Sequence, residues 1–149
     1  MKYGLIGEKL GHSFSRIVHS ELADYDYELK EIAKEELDGF LKKADFNAIN
    51  VTIPYKQDVI PYLSFMDDTA KMVGAVNTIV NNNGKLYGYN TDFLGLKSLI
   101  EHANIKISDK KVLILGSGGT SKTALAVTQS MGAKEVYCVS RSGGDGLIK

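Results

Sequence analysis

Cysteine is nearly absent from this chain: Cys138 is the single one in 149 residues. One thiol excludes an internal disulfide framework and points to a reducing compartment. Its setting, Val136-Tyr137-Cys138-Val139, is an apolar run, so a buried core thiol is expected. Net charge is absent too, with 18 Lys+Arg against 18 Asp+Glu. That balance removes the electrostatic case for nucleic acid or an anionic membrane as the main partner. No apolar run approaches the length of a membrane span, and Met1-Lys2-Tyr3-Gly4 does not open a signal-peptide core. Repeats and low-complexity tracts are also missing. What remains, 44% hydrophobic and 24% charged, is ordinary for a globular chain. The expectation is a cytoplasmic protein that handles a small molecule.

The pattern along the chain alternates strands with helices. Tyr3 to Gly7 reads as a buried strand, and Ser15 as the N-cap of a helix from Arg16 to about Ala23. A strand over 25–32 and a helix over 34–44 follow, the latter with Leu37, Phe40 and Leu41 at helical spacing. Asn47 to Ile53 is a third strand. A short helix is expected from about Tyr55, ended or kinked by Pro61, then another over 67–72. Residues 75–80 and 86–89 form a hairpin around Asn82-Asn83-Gly84, because Asn-Gly favours positive φ. Helices over 93–103 and 119–131 and strands over 111–115 and 135–140 complete the reading. Such alternation implies an α/β protein with a mostly parallel sheet. A linker is expected near 104–109, which divides the chain into 1–103 and 104–149.

Two stretches carry the chemistry. In Asn50-Val51-Thr52-Ile53-Pro54-Tyr55-Lys56 polar residues alternate along an apolar strand, which then turns through proline onto a lysine. A lysine in the first turn of a helix is opposed by the dipole, and local rules tend to fail at functional sites. In Gly88-Tyr89-Asn90-Thr91-Asp92 an aspartate stands where a helix begins. Lys56 and Asp92 are therefore the candidate catalytic pair. Asn50 and Thr52 share a strand face by the period of two, and Asn77 interrupts a strand. These side chains suit a polyhydroxylated ligand, against the alternative of buried structural asparagines. Ser13 and Ser15 put two hydroxyls beside a helix start, which suits a carboxylate or simple capping by Ser15. His12, His19 and His102 have no partners at metal-ligand spacing and read as structural or solvated.

The glycine loop is Gly116-Ser117-Gly118-Gly119-Thr120-Ser121, directly after a strand and opening a helix. Glycines let backbone approach a pyrophosphate, and the helix start supplies amide donors; the alternative is a tight turn. Ser121 stands at the third position, where glycine or alanine is usual. The next strand ends in Ser140-Arg141-Ser142 and has its acid, Glu135, at the opposite end. An arginine there favours NADP over NAD, unless Arg141 is only a solvated charge.

Five ordered motifs together resemble the shikimate dehydrogenase family: Gly11-His12-Ser13-Phe14-Ser15, Asn50 to Lys56, Gly74-Ala75-Val76-Asn77-Thr78, Tyr89-Asn90-Thr91-Asp92 and Gly116-Ser117-Gly118-Gly119. They span roughly 3–142. The resemblance implies NADP-linked interconversion of 3-dehydroshikimate and shikimate, on the way to chorismate and the aromatic amino acids. It implies that Ser13 and Ser15 hold the substrate carboxylate and that Asn50, Thr52, Asn77 and Asp92 bind ring hydroxyls. It makes Lys56 the acid/base, with Gly116, Gly118, Gly119, Thr120 and Ser121 lining the pyrophosphate and Arg141 the 2′-phosphate.

The sequence departs from the family pattern in two places. Arg16 replaces the proline usual after the second serine, which gives up some preorganisation of the helix start. After residue 103 the pattern supplies one β-α-β, where a Rossmann-type domain has two three-stranded halves; the family's returning helix with its glutamine ligand is not found, and Ser142 to Lys149 is a glycine-rich tail. The expected fold is thus a mostly parallel α/β substrate-binding domain followed by an incomplete Rossmann-type unit. The chain by itself is expected to turn over poorly and to self-associate or leave its C-terminus disordered, because a broken sheet exposes apolar faces. A non-enzymatic binder of shikimate-like acids and a quinate/shikimate dehydrogenase of broader specificity are the alternatives.

Overall fold

The computed structural model describes residues 1–141, so the expectation for the tail from Ser142 onward lies outside the described residues. The chain forms two compact units, Met1–Asn90 and Thr91–Lys149. The division falls earlier than the expected 103/104 boundary because the helix after Asn90 packs on the next helix of the second unit.

The first unit holds a six-stranded sheet in the order β2-β1-β3-β5-β6-β4. Its strands are β1 Tyr3–Gly7, β2 Tyr27–Glu31, β3 Ala48–Val51, β4 Phe65–Met66, β5 Thr78–Asn82 and β6 Lys85–Tyr89. β1 pairs in parallel with both β2 and β3, and β4 with β6, while β5 runs antiparallel to β3 and β6. Every strand of this sheet except β5 therefore runs in one direction. The exception follows from the hairpin: Asn83 and Gly84 have φ of 53° and 83°, the turn that matches strand twist. The sheet's helices are α1 Ser15–Leu22, α2 Lys34–Lys43 and α3 Asp68–Val73.

Alternation sets the core. In β3 Ile49 and Val51 are buried while Ala48 and Asn50 are half-buried. With Ile6, Tyr55, Val59, Val76, Ile79, Leu37 and Leu41 they form one continuous apolar cluster. Each such side chain contributes about 1.5–3 kcal/mol when fully buried.

Three local expectations are corrected. No helix begins at Tyr55: residues 53–59 are consecutive turns after a cis Ile53–Pro54 peptide. Pro61 stands in the first residues of a 3-10 turn, Ile60–Tyr62, instead of ending a helix, since a proline suits a position whose N–H would be unpaired anyway. Ser15 is the first residue of α1 and not its cap; the cap residue is Phe14, with no side-chain bond. Ser13 does the satisfying, its Oγ accepting the Ser15 N–H at 3.2 Å.

The second unit contains α4 Thr91–His102, β7 Lys111–Leu115, α5 Gly119–Ser130 and β8 Glu135–Val139. β7 and β8 form a parallel two-stranded sheet. Ala126, Val127 and Thr123 of α5 are buried. On the sheet's other face Leu113 is 59% and Leu115 79% exposed. Cys138 is half-buried, not a core thiol, because a two-stranded sheet cannot enclose both sides of its strands.

Candidate functional site

The first unit gathers its polar candidates at one edge of the sheet. β1 and β3 are parallel neighbours, so the loops after Gly7 and Val51 leave the same edge. β5 runs the other way, which brings its N-terminal end, preceded by Asn77, to that edge as well. Backbone bonds fasten the arrangement: Val51 N–H donates to the Asn77 carbonyl at 2.8 Å, Val76 N–H to the Lys56 carbonyl at 2.8 Å, and Thr52 N–H to the Ile6 carbonyl at 2.9 Å. A Cβ on Gly7 would lie 2.7 Å from Thr52 Cγ2, so glycine is what lets the two loops approach so closely.

Lys56 and Thr52 are half-buried there. The turn that carries Lys56 is anchored by its neighbour Tyr55, which is 0% exposed and donates its hydroxyl to the Ile32 carbonyl at 2.6 Å. Burial pushes that phenol's pKa up, so it stays a donor. Lys56 thus owes its place to a buried tie and not to a helix.

Asn50 and Asn77 lie together. Asn50 Oδ1 accepts from the Tyr27 hydroxyl at 2.7 Å. Its Nδ2 donates to Thr78 Oγ1 at 3.1 Å and to the Asn77 carbonyl at 3.4 Å. Both amide hydrogens are therefore used within the protein, which leaves Asn50 one Oδ1 lone pair to offer a ligand hydroxyl. Thr78 Oγ1 donates in turn to Asn77 Oδ1 at 3.1 Å. Asn77 is buried, as is Asn90, whose Nδ2 donates to the Ala75 carbonyl at 2.9 Å. Sequence reasoning missed Tyr27, Thr78 and the clasp made by Asn90; the period of two in β2 could not tell which aromatic would reach across to β3.

Ser13 and Ser15 are half-buried on the loop and helix start after β1. The Ser13 hydroxyl donates to Ser15 Oγ at 3.1 Å, so the two act as a pair. Arg16 is exposed. His19 stacks on Tyr27 with centroids 3.8 Å apart and an interplanar angle of 11°, and it bonds the Tyr25 hydroxyl through Nδ1. Among the described residues no group of three or more His, Cys, Asp or Glu could hold a metal ion.

Asp92 belongs to the second unit, half-buried in the first turn of α4, where the helix dipole favours a carboxylate. Lys56 and Asp92 thus stand in different units. The glycine loop separates two hollows. One, of about 890 Å³, is lined by Leu115, Gly116, Ser117, Gly118, Val139, Ser140 and Arg141. The other, of about 340 Å³, adds Thr120 and Ser121. Gly116 has φ of 112°, and a Cβ on Gly116 or Gly118 would meet nothing within 4 Å. Open space thus faces bare backbone beside the start of α5 at Gly119, with an exposed arginine at the rim. Those are the requirements of a pyrophosphate with a further phosphate nearby. Ser121 turns inward, its hydroxyl donating to the Gly118 carbonyl at 2.6 Å, and Ser117 donates to Ser140 across the strand ends at 3.2 Å.

Residues 5–79 match the family pattern described as the shikimate dehydrogenase substrate binding domain. The chain is 44% identical over 147 residues to the shikimate dehydrogenase (NADP(+)) of Clostridium beijerinckii, covering 93% of this chain and 54% of that protein. Its fold is similar to that of shikimate dehydrogenase 1 from Peptoclostridium difficile, with a TM-score of 0.88, 42% identity, and coverage of 97% of this chain and 57% of the other. Shikimate 5-dehydrogenase from Thermus thermophilus, solved in complex with NADP(H) and shikimate, is similar at a TM-score of 0.84 and 28% identity, covering 95% of this chain and 56% of the other. This chain spans about half the length of the curated relatives it matches.

Proposed function

This chain belongs to the shikimate dehydrogenase family, and we propose that its reaction is the reversible, NADP-linked reduction of 3-dehydroshikimate to shikimate in the route to chorismate, in the cytoplasm. The observation that carries the reading is the meeting of Thr52, Lys56 and Asn77 at the sheet edge that Ser13 and Ser15 also leave. Ser15 keeps its hydroxyl proton to donate to a ring carboxylate, and Ser13 supports it through the bond to Ser15 Oγ. Thr52, Asn77 and Asp92 offer the donors and acceptors that ring hydroxyls need. Gly116, Gly118, Gly119, Thr120 and Ser121 would cradle the pyrophosphate, and Arg141 the 2′-phosphate.

When bound, NADPH supplies the hydride that reduces the ketone carbon. Lys56 is left to stabilise the negative charge that develops on the ketone oxygen and to deliver the proton that makes it a hydroxyl. In the reverse direction the Lys56 amine accepts that proton. Asp92 is proposed as the second catalytic residue. The 149-residue chain carries a two-stranded nucleotide sheet among its described residues, so we expect it to hold NADP weakly and to turn over slowly by itself. We also propose self-association through the apolar face that bears Leu113.

The test is shikimate-dependent reduction of NADP by the pure chain, with calorimetric shikimate binding alongside. Saturable binding is expected, with slow turnover that falls by about 10²–10⁴ in Lys56→Ala. Binding with no turnover would favour a non-enzymatic binder of such acids. A chain that binds no shikimate, or whose turnover survives Lys56→Ala, would refute the proposal.

A further inference from the structure

The polar chain Tyr27–Asn50–Thr78–Asn77 has a fixed direction. A carboxamide oxygen only accepts, so the Tyr27 hydroxyl must donate to Asn50 Oδ1 at 2.7 Å. That choice turns Asn50 Nδ2 towards Thr78 Oγ1, which must accept at 3.1 Å. The Thr78 proton is then available to donate to Asn77 Oδ1 at 3.1 Å. Each bond sets the polarity of the next. The carbonyl of the Asn77 amide thus faces Thr78.

We propose that Tyr27 is a positioning residue for the ligand-binding amide of Asn77, acting through Asn50 and Thr78. The inference rests on the functional reading above for the identity of the ligand, and it gives Asn50 its main task, the relay of orientation. Without the phenol, Asn50 loses the short bond to its Oδ1, and only the long 3.4 Å bond from Nδ2 to the Asn77 carbonyl still opposes a flip of its amide. A flipped Asn50 would present Oδ1 to Thr78 and draw the threonine proton to itself. Asn77 Oδ1 would then lose the Thr78 proton, and the orientation in which its amide meets a ligand would change.

Tyr27 is built for this task. It is 7% exposed, and His19 stacks on its ring at 3.8 Å. Burial first, and the nearby Tyr25 second, push its pKa up to about 12, so it keeps its proton at any working pH. A phenylalanine would keep the ring and its stack and delete only the donor.

The experiment compares the wild-type chain with Tyr27→Phe, Thr78→Val and the double variant. In the ligand-free protein, the side-chain NH₂ resonances of Asn77, assigned with Asn77→Asp, should shift or broaden in Tyr27→Phe, although the two residues do not touch. Shikimate affinity should fall about five- to tenfold in either single variant, as for one misdirected hydrogen bond of about 1 kcal/mol. The double variant should be no worse than the singles, because both cut one chain. Unmoved Asn77 resonances, or additive losses of affinity, would overturn the relay. Absence of shikimate binding by the wild type would instead overturn the functional reading, and the resonances would still decide the relay.

Discussion

Replacing Tyr55 by phenylalanine isolates the tie that holds the Lys56 turn. The ring would stay in the core, where the residue is 0% exposed, so no cavity opens. What is lost is the 2.6 Å bond to the Ile32 carbonyl. Ile32 is itself 3% exposed, and the N–H of the peptide that carries its carbonyl, that of Ala33, donates to Glu36 Oε2 at 3.4 Å, so that peptide is not placed to turn towards water. Removing one partner of a buried bond costs about 1–3 kcal/mol, well below the roughly 3–5 kcal/mol expected if the whole aromatic were truncated to alanine. With a urea slope of about 2 kcal/mol per M, a loss of about 2 kcal/mol lowers the unfolding midpoint by about 1 M. Urea-dependent hydrogen exchange of the β1 and β3 amides reads the first unit directly, apart from the second. A midpoint equal to wild type would refute the reasoning, since it would mean that Ile32 finds another donor at no loss.

Two further outcomes concern the second unit. Glu135 is held below the usual carboxylate range by the Tyr137 hydroxyl and by Lys111, whose ammonium lies 3.2 Å away. A folded pKa below the unfolded one means that this contribution is complete above the ordinary carboxylate pKa and is lost as pH falls through the depressed value. Protection of the β7 and β8 amides should therefore decline on acidification, and Glu135→Gln should flatten the decline; an unchanged acid profile in the variant would contradict the assignment. Sedimentation of the whole chain should show concentration-dependent association that Leu113→Lys removes, and a monomer at all concentrations would rule out the face as an interface.

Where a signal is local, the reading of the chain and the structure agree closely. β1 occupies Tyr3–Gly7 and β7 Lys111–Leu115 as the apolar runs require, and the Asn83-Gly84 turn places its hairpin. Where a residue's conformation is set by distant partners, they diverge. The short β4 pairs only Phe65 and Met66 with β6, too few residues to show a period. The helix expected at Tyr55 fails because the buried ring and its bond to Ile32, far back in the sequence, outweigh local propensity. Ser15 has the side chain of a cap, yet Ser13 satisfies the amide, since the geometry after Leu10 turns the chain one step earlier. The boundary moves from 103/104 to Asn90 because helix-on-helix packing, invisible to composition, assigns α4 to the second unit.

By itself the sequence determined the alternation of strands and helices, the glycine loop between β7 and α5, and which polar side chains stand at strand ends, because periodicity and turn chemistry act over a few residues. The tertiary structure alone decided that β5, already turned against β6 by its hairpin, pairs with β3, and so that Asn77 arrives beside Asn50 at the edge where the Lys56 turn is fastened. It also decided the direction of the bonds from Tyr27 to Asn77. Those facts depend on which strands pair, and pairing is settled by burial summed over the whole core rather than by any one stretch of chain.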